Sequence, residues 1–303
     1  LKGWRDKVYL STKNPIEDDS GVHFRDRLEN SLKKLDVEYI DFYYMWGINL
    51  NTYEEKINVK DGPLEAALKA KEEGLIKHIT FSFHDKPENL FKLIDTGYFE
   101  AVLCQYNLMD RSNEQAIAHA KEKGLGVIIM GPVGGGKLGA PSPAISNLLP
   151  GKVKSSADIA LRFVLSNPNV TCALSGMGSV KMVEENVITA SNENQLSERE
   201  LEDIKASMEE NKNLEKLYCT GCNYCMPCPH EVNIPLNFQL MNYHRVYGLT
   251  DYARSQYNDI GNVDWYKGKK AEECIECGIC EEKCPQKIEI RKQLKEVTGT
   301  LRK

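Results

Sequence analysis

The chain has 303 residues, a formal net charge of -5 and 41% hydrophobic residues. That length is more than one hydrophobic core usually serves, so two domains are expected. The mild acidity gives no basic footprint for nucleic acid, and no apolar run approaches the roughly 20 residues of a membrane span.

The opening Leu1-Lys2-Gly3-Trp4-Arg5-Asp6 does not read as a signal peptide. Leu1 to Arg5 reads as a helix end running into a strand at Lys7–Thr12, so the chain opens in mid-pattern and a fragment of a longer polypeptide is expected. Further strands are expected at Ile40–Met45, His78–Ser82, Ala101–Gln105, Gly126–Met130 and Thr171–Leu174. Helices are expected between them at His23–Leu35, Pro63–Glu73, Pro87–Asp95, Asn113–Lys123 and Ser156–Leu165. Val180–Ala190 and Ser197–Asn211 follow, the latter opening with a capping box, Ser197-x-x-Glu200. Strands alternating with helices imply parallel βα units, and no Gly-x-Gly-x-x-Gly turn follows the first strand. The expected fold class is α/β, a (β/α)8 TIM barrel lacking its first two βα units, a deficit of about 60–80 residues.

Two cysteines, Cys104 and Cys172, fall in apolar strand-like runs and read as small buried hydrophobes. The other eight form two tight groups, Cys219-x2-Cys222-x2-Cys225-x2-Cys228-Pro229 and Cys274-x2-Cys277-x2-Cys280-x3-Cys284-Pro285. Clustering without a secretion signal points to metal and to a reducing, cytoplasmic compartment. Three thiolates at x2 spacing wrap one corner of a cubane, and a fourth Cys followed by Pro ligates the other cluster in two-cluster ferredoxins. Cys219, Cys222, Cys225 and Cys284 are therefore assigned to one 4Fe–4S cluster, and Cys274, Cys277, Cys280 and Cys228 to the other. A pair of four-thiolate zinc sites is the alternative, but zinc needs neither a third x2 step nor a Cys-Pro end. The first run has x2 where x3 is usual before the last Cys, a departure that bears on the crossing rather than on the clusters. About 45 residues separate the runs, with helices expected at Leu236–Tyr247 and Asp251–Asp259. This spacing resembles the α-helical ferredoxin domains fused to larger redox enzymes, and the chain divides into 1–212 and 213–303.

Barrel chemistry belongs at the C-terminal ends of strands. There stand Lys13, Trp46, Ser82 with Phe83 and His84, Gln105 with Tyr106 and Asn107, Met130 with Gly131, and Ser175 with Gly176. A core would not ask for Lys, His, Gln and Asn at these places, so they form a polar rim suited to a ligand. His84 is suited to proton transfer. His78 reads as structural, and His23 and His119 as solvated.

Val8-Tyr9-Leu10-Ser11-Thr12-Lys13, Leu35-Asp36-Val37-Glu38-Tyr39-Ile40-Asp41, Gly74-Leu75-Ile76-Lys77-His78-Ile79-Thr80-Phe81-Ser82, Gln105-Tyr106-Asn107 and Glu185-Asn186 resemble successive motifs of the aldo-keto reductases. More closely, the chain resembles the branch of that family with a fused C-terminal two-cluster ferredoxin domain. The resemblance implies hydride transfer between a nicotinamide and a small-molecule carbonyl by an Asp, a Tyr, a Lys and a His. Lys13 matches the lysine. The Asp and Tyr belong to the two units this chain lacks, and Trp46 stands at the histidine position, where indole offers only an N–H donor. Ser82 and Gln105 match contacts to the carboxamide, and Met130 replaces the aromatic residue that stacks on the nicotinamide. Gly131-Pro132-Val133-Gly134-Gly135-Gly136-Lys137 is a loop able to bring backbone N–H groups to a pyrophosphate. Ser175, Gly176, Glu185 and Asn186 fall at the adenosine end, with Met182 where an Arg for the 2′-phosphate is expected, so NADH and NADPH stay undistinguished.

The function expected is an oxidoreductase coupling a barrel-bound substrate or nicotinamide to electron transfer through the two clusters, with a redox carrier protein as partner. Hydride moves two electrons and each cluster one, so direct exchange calls for a radical intermediate or a flavin, for which the sequence carries no motif. The alternatives are a degenerate barrel serving as scaffold for the ferredoxin module, and carbonyl reduction with purely structural clusters.

Overall fold

The computed structural model describes residues 3–139, 141–149, 154–191, 196–219 and 221–302. By contact the chain divides into two compact units, Leu1–Pro132 with Phe163–Ala190, and Val133–Arg162 with Ser191–Lys303.

The first unit holds a six-stranded sheet, β1 (Ser11–Pro15), β2 (Ile40–Ile48), β3 (Ile76–Phe83), β4 (Ala101–Gln105), β5 (Gly126–Met130) and β6 (Cys172–Ala173). The strands lie in chain order and all pair in parallel. Helices connect successive strands, at Gly21–Leu35, Pro63–Glu72, Pro87–Asp95 and Glu114–Glu122. The first is capped by Ser20, whose hydroxyl accepts from the His23 N–H at 3.2 Å, and it buries Phe24, Leu28 and Leu32 at i, i+4 and i+8. Its start is pressed onto the next loop: a Cβ at Gly21 would come within 2.6 Å of the Asp61 carbonyl oxygen, so only glycine fits.

Side chains alternate between the two faces of a strand. Tyr43, Met45, Ile79, Phe81, Val102, Val127 and Ile129 are buried on one face, where Tyr43 packs edge-on against Phe24 of the first helix at 5.6 Å. The opposite, inner face carries Lys13, Tyr44, Trp46, Ser82, Gln105 and Met130, with a small apolar cluster of Tyr44, Ala101, Leu103 and Ile128.

β1 begins at Ser11, not Lys7. Before it the Leu10 carbonyl accepts from the Phe42 N–H at 3.1 Å, and side chains hold the rest: Arg5 Nη2 lies 2.8 Å from Asp41 Oδ2, which also accepts from the Leu10 N–H at 2.8 Å, and Arg5 stacks over Tyr39. The expected helix end at Leu1–Arg5 falls partly outside the described residues; Arg5–Lys7 forms a single 3-10 turn. Cys104 is buried as expected, but Cys172 is exposed, because β6 is a two-residue edge strand with β5 as its one neighbour. His119 is not simply solvated: its Nε2 lies 2.7 Å from Asp95 Oδ1 and its ring tilts against Phe91. His78 is structural, with Nδ1 2.7 Å from Glu100 Oε2 and the ring stacked on Phe42.

In the second unit the capping box forms as expected, with Ser197 and Glu200 exchanging bonds, and the helix runs from Glu198 to Tyr218, past the expected end at Asn211. Leu214, Glu215 and Lys216 are all good helix formers and carry it on. Ile234–Arg245, Thr250–Asp259 and Ile290–Leu301 pack as a three-helix group. Its buried faces include Phe238, Leu240, Met241, Ala253, Tyr257, Leu294, Val297 and Leu301. Asn237, fully buried, ties the first of these helices to the Lys269–Ala271 segment. Its Nδ2 donates to the carbonyls of Asn233 at 2.8 Å and Lys269 at 3.2 Å, and its Oδ1 accepts from the Ala271 N–H at 3.0 Å.

Replacing Asn237 with Ala strands the buried Ala271 N–H, a loss of about 1–3 kcal/mol, while the Asn233 and Lys269 carbonyls keep their backbone donors. A lowered urea midpoint for Asn237→Ala is expected; a midpoint equal to wild type would show that Asn237 is not the strut.

Candidate functional site

The inner face collects its polar residues at the C-terminal strand ends. Lys13 lies opposite Tyr44 and Pro15 opposite Trp46 on β2, while Gln105 lies opposite Met130. Between Met45 and Ile48 the β2–β3 register shifts, and Gly47 adopts φ +66. Such a bulge re-aims side chains at a sheet rim, and Trp46 at its start is 53% exposed. The Gly47 N–H donates to Ser82 Oγ at 2.8 Å, the His84 N–H donates to the Ile48 carbonyl at 3.3 Å, and a Cβ on Gly47 would lie 3.9 Å from His84 Cδ2. Trp46, Ser82 and His84 thus share one corner. Asn14, buried behind Lys13, donates through Nδ2 to the Phe24 carbonyl at 2.9 Å and to Tyr43 Oη at 3.0 Å, which fixes the strand end that carries the lysine.

Lys13 is exposed and close enough to act on His84. The imidazole is held below its ordinary pKa chiefly by the protein packed beneath it, with the Lys13 charge adding in the same direction. His84 is therefore a neutral acceptor at neutral pH. Tyr44, on the same face, is pushed up to about 12 by burial, with a smaller push from nearby Cys172, which keeps its proton firmly on oxygen.

Not every expected contact is open. Ser82 is fully buried with its hydroxyl engaged by Gly47. Asn107 is buried in its own turn: Oδ1 accepts from the N–H groups of Met109 and Asp110 at 2.9 Å, and Nδ2 donates to the Gly131 carbonyl at 3.1 Å. Gln105 lies over Gly131, where a Cβ would come within 3.5 Å of its Oε1, and Met130 is half-buried beside it. In the glycine-rich loop, Gly131, Gly134, Gly135 and Gly136 all take positive φ. Lys137 is engaged: its Nζ donates to Tyr243 Oη at 2.8 Å. Further on, Asn186 Nδ2 donates to Ser175 Oγ at 3.0 Å, so these two stand together. Gly176, Glu185 and Met182 are exposed, and Glu185 lies 3.7 Å from Lys181.

The cysteines gather by crossing. Just after Cys228, Glu231 to Asn233 pair with the segment ahead of Cys274: the Lys269 N–H donates to the Glu231 carbonyl at 2.8 Å, the Asn233 N–H donates to the Lys269 carbonyl at 3.1 Å, and the Glu231 and Lys269 side chains meet at 2.8 Å. This short ladder brings Cys228 into one cavity with Cys274, Cys277 and Cys280, walled by Ile234 and Leu294. The four line the cavity rather than meeting at one point; among the described residues no three His, Cys, Asp or Glu side chains close round a single ion. Cys284, buried, lies near enough to Cys219 and Cys225 to raise both. Burial is the larger cause there, and it pushes Cys225 and Cys280 up to about 11. Against it, the Gly221 N–H donates to Cys219 Sγ at 3.4 Å. Two groups of four cysteines, one walled by Ile234 and Leu294 and both including thiols that burial keeps protonated until a cation shares their charge, fit two iron–sulfur cubes.

Residues 1–209 match the Aldo/keto reductase family and residues 218–289 the 4Fe-4S dicluster domain. Among curated proteins, the chain is 26% identical to L-galactose dehydrogenase of Arabidopsis thaliana over 65% of this chain and 67% of that protein. It is 31% identical to an uncharacterized oxidoreductase of Schizosaccharomyces pombe over 53% of this chain and 50% of that one. The chain thus spans between half and about two-thirds of these relatives. Among solved structures, an aldo-keto reductase from Bacillus halodurans in its holo form is 26% identical, covering 68% of this chain and 74% of that one at a TM-score of 0.59. An aldo-keto reductase from Klebsiella pneumoniae in complex with NADPH shares the fold at 23% identity and a TM-score of 0.54, over 67% of this chain and 71% of that one. Among the described residues no helix is long and apolar enough to cross a membrane.

The imidazole at His84 gives a direct check. In an NMR titration it should turn over below the ordinary value of 6.5, and Lys13→Gln should move it upward. Because the unfolded state then binds more protons than the fold just below that value, His84 adds stability as pH rises through this window. A turnover at or above 6.5, or a downward move in Lys13→Gln, contradicts the geometry described.

Proposed function

This chain belongs to the aldo/keto reductase family, and we propose that it couples a small molecule or nicotinamide on the inner face of its sheet to two 4Fe–4S clusters, passing electrons onward to a carrier protein. The six strands are read as consecutive members of a (β/α)8 barrel without its first two βα units, with the functional division from the cluster domain at 212/213. The strand order supports this, since each strand lies beside its chain neighbour as round a barrel wall.

The observation that carries the proposal is the gathering of all eight cysteines into two groups of four in a chain whose reductase-like rim carries Trp46 in place of a proton donor. Cys219, Cys222, Cys225 and Cys284 would hold one cluster, and Cys274, Cys277, Cys280 and Cys228 the other; when bound, the clusters supply one-electron transfer. In this chain's own residues, His84 accepts the proton released when a substrate alcohol is oxidised, or returns it in reverse. Burial keeps that imidazole neutral, with Lys13 beside it adding in the same direction and offering a positive charge to substrate oxygen. Trp46 presents a flat wall and an N–H donor. Gln105, Met130 and Gly131 receive the nicotinamide, with Ser175, Gly176, Glu185 and Asn186 toward the adenosine end.

The engaged hydroxyl of Ser82 and the turn-bound Asn107 favour a second reading, a barrel without catalysis that serves as scaffold for the cluster domain. One experiment separates the two. NADH or NADPH is added anaerobically to the cluster-loaded chain and cluster reduction is followed by electron paramagnetic resonance. The coupled oxidoreductase should show the reduced-cluster signals, one electron to each cluster for each nicotinamide oxidised; with a substrate alcohol as the donor, His84→Ala should lower the initial rate at least tenfold. Absence of reduction, with no nucleotide binding by calorimetry, leaves only the scaffold.

A further inference from the structure

The segment carrying the second cysteine run is strongly acidic, with Glu272, Glu273, Glu276, Glu281 and Glu282 interleaved among its ligands. A cube bound by four thiolates is already rich in negative charge, and carboxylates beside it make an added electron harder to accept. The helix Ile290–Leu301 opposes this with two cations one turn apart. Lys295 Nζ lies 2.6 Å from Glu276 Oε2. Arg291 is held more closely: its Nε and Nη2 donate to Glu281 Oε2 at 3.0 and 2.8 Å, while its backbone N–H donates to Glu281 Oε1 at 2.8 Å. Glu281 follows Cys280 directly in the chain.

The guanidinium also forms part of the cavity. It lies against Gly278, where an added Cβ would come within 3.6 Å of Arg291 Cζ, and it lines the cavity shared by Cys228, Cys274, Cys277 and Cys280. One cation therefore cancels the carboxylate next to a ligand and faces the ligands themselves.

We infer that Arg291 is a positioning residue that sets the reduction potential of the second cluster, by holding the charge of Glu281 cancelled at the cavity wall. The inference rests on the proposed assignment of Cys228, Cys274, Cys277 and Cys280 to that cluster. Its consequence is a pair of opposite shifts. Without Arg291 the Glu281 carboxylate stands unopposed and the cluster accepts an electron less readily. Without the carboxylate the guanidinium stands unopposed and the cluster accepts one more readily. A loop clamp with no electrostatic role would give the same result from either side.

The test is a redox titration of the cluster-loaded full chain, followed by electron paramagnetic resonance, for wild type, Arg291→Gln and Glu281→Gln. One of the two midpoints should fall in Arg291→Gln and rise in Glu281→Gln, each by at least threefold in the reduction equilibrium, about 30 mV for one electron. The other midpoint should hold. Shifts of the same sign, equal shifts in both midpoints, or no shift overturn the inference. If Arg291→Gln fails to retain iron, Glu281→Gln decides alone, an upward shift supporting and an unmoved midpoint refuting. Failure of the ligand assignment looks different: wild type itself would then hold too little iron and sulfide for two clusters.

Discussion

Thiolates drawn together in fours repel one another unless something positive shares their charge, and the eight cysteines of this helical region gather in two such groups. This requirement organises the cluster domain. Cys228 shares a cavity with Cys274, Cys277 and Cys280, and Cys284 lies near Cys219 and Cys225. Everything around the crossing serves to hold it. The ladder between Glu231–Asn233 and Lys269 closes one side, buried Asn237 pins the ladder to a helix, and Arg291 clamps the second loop from its far end. The backbone must turn sharply to do this, and Gly268, at φ +98 with Asn233 Cβ 3.0 Å from where its own Cβ would be, is a place where no other residue fits.

In the reductase-like unit the organising rule is simpler. A period of two along parallel strands puts Lys13, Trp46, Ser82, Gln105 and Met130 on one face, and the parallel arrangement puts all their strand ends at one edge. Among the described residues this edge brings together a neutral imidazole and an exposed indole.

Much of this was legible in the sequence because the signals were periodic or chemically rare. Cysteines at x2 spacing, strands alternating with helices, and polar residues where strands end all mark themselves. Features set by a single contact were not. The bulge beside Trp46 has Gly47 at positive φ, and one glycine at the end of an apolar run gives no hint of a register shift. Ser82 and Asn107 have the right chemistry for ligand contacts, yet nearby backbone groups claim their oxygens. Cys172 sits in an apolar run that reads as core, but an edge strand of two residues leaves it exposed. The ladder that carries the crossing is too short to show any alternation.

The crossing is the claim that decides which four sulfurs hold each cluster. Electron paramagnetic resonance of the reduced, cluster-loaded chain tests it through three single variants, Cys222→Ser, Cys277→Ser and Cys284→Ser. The account predicts that Cys284→Ser alters the same cluster signal as Cys222→Ser and leaves untouched the one altered by Cys277→Ser. If Cys284→Ser instead alters the Cys277 signal, each run holds its own cluster and the crossing is wrong.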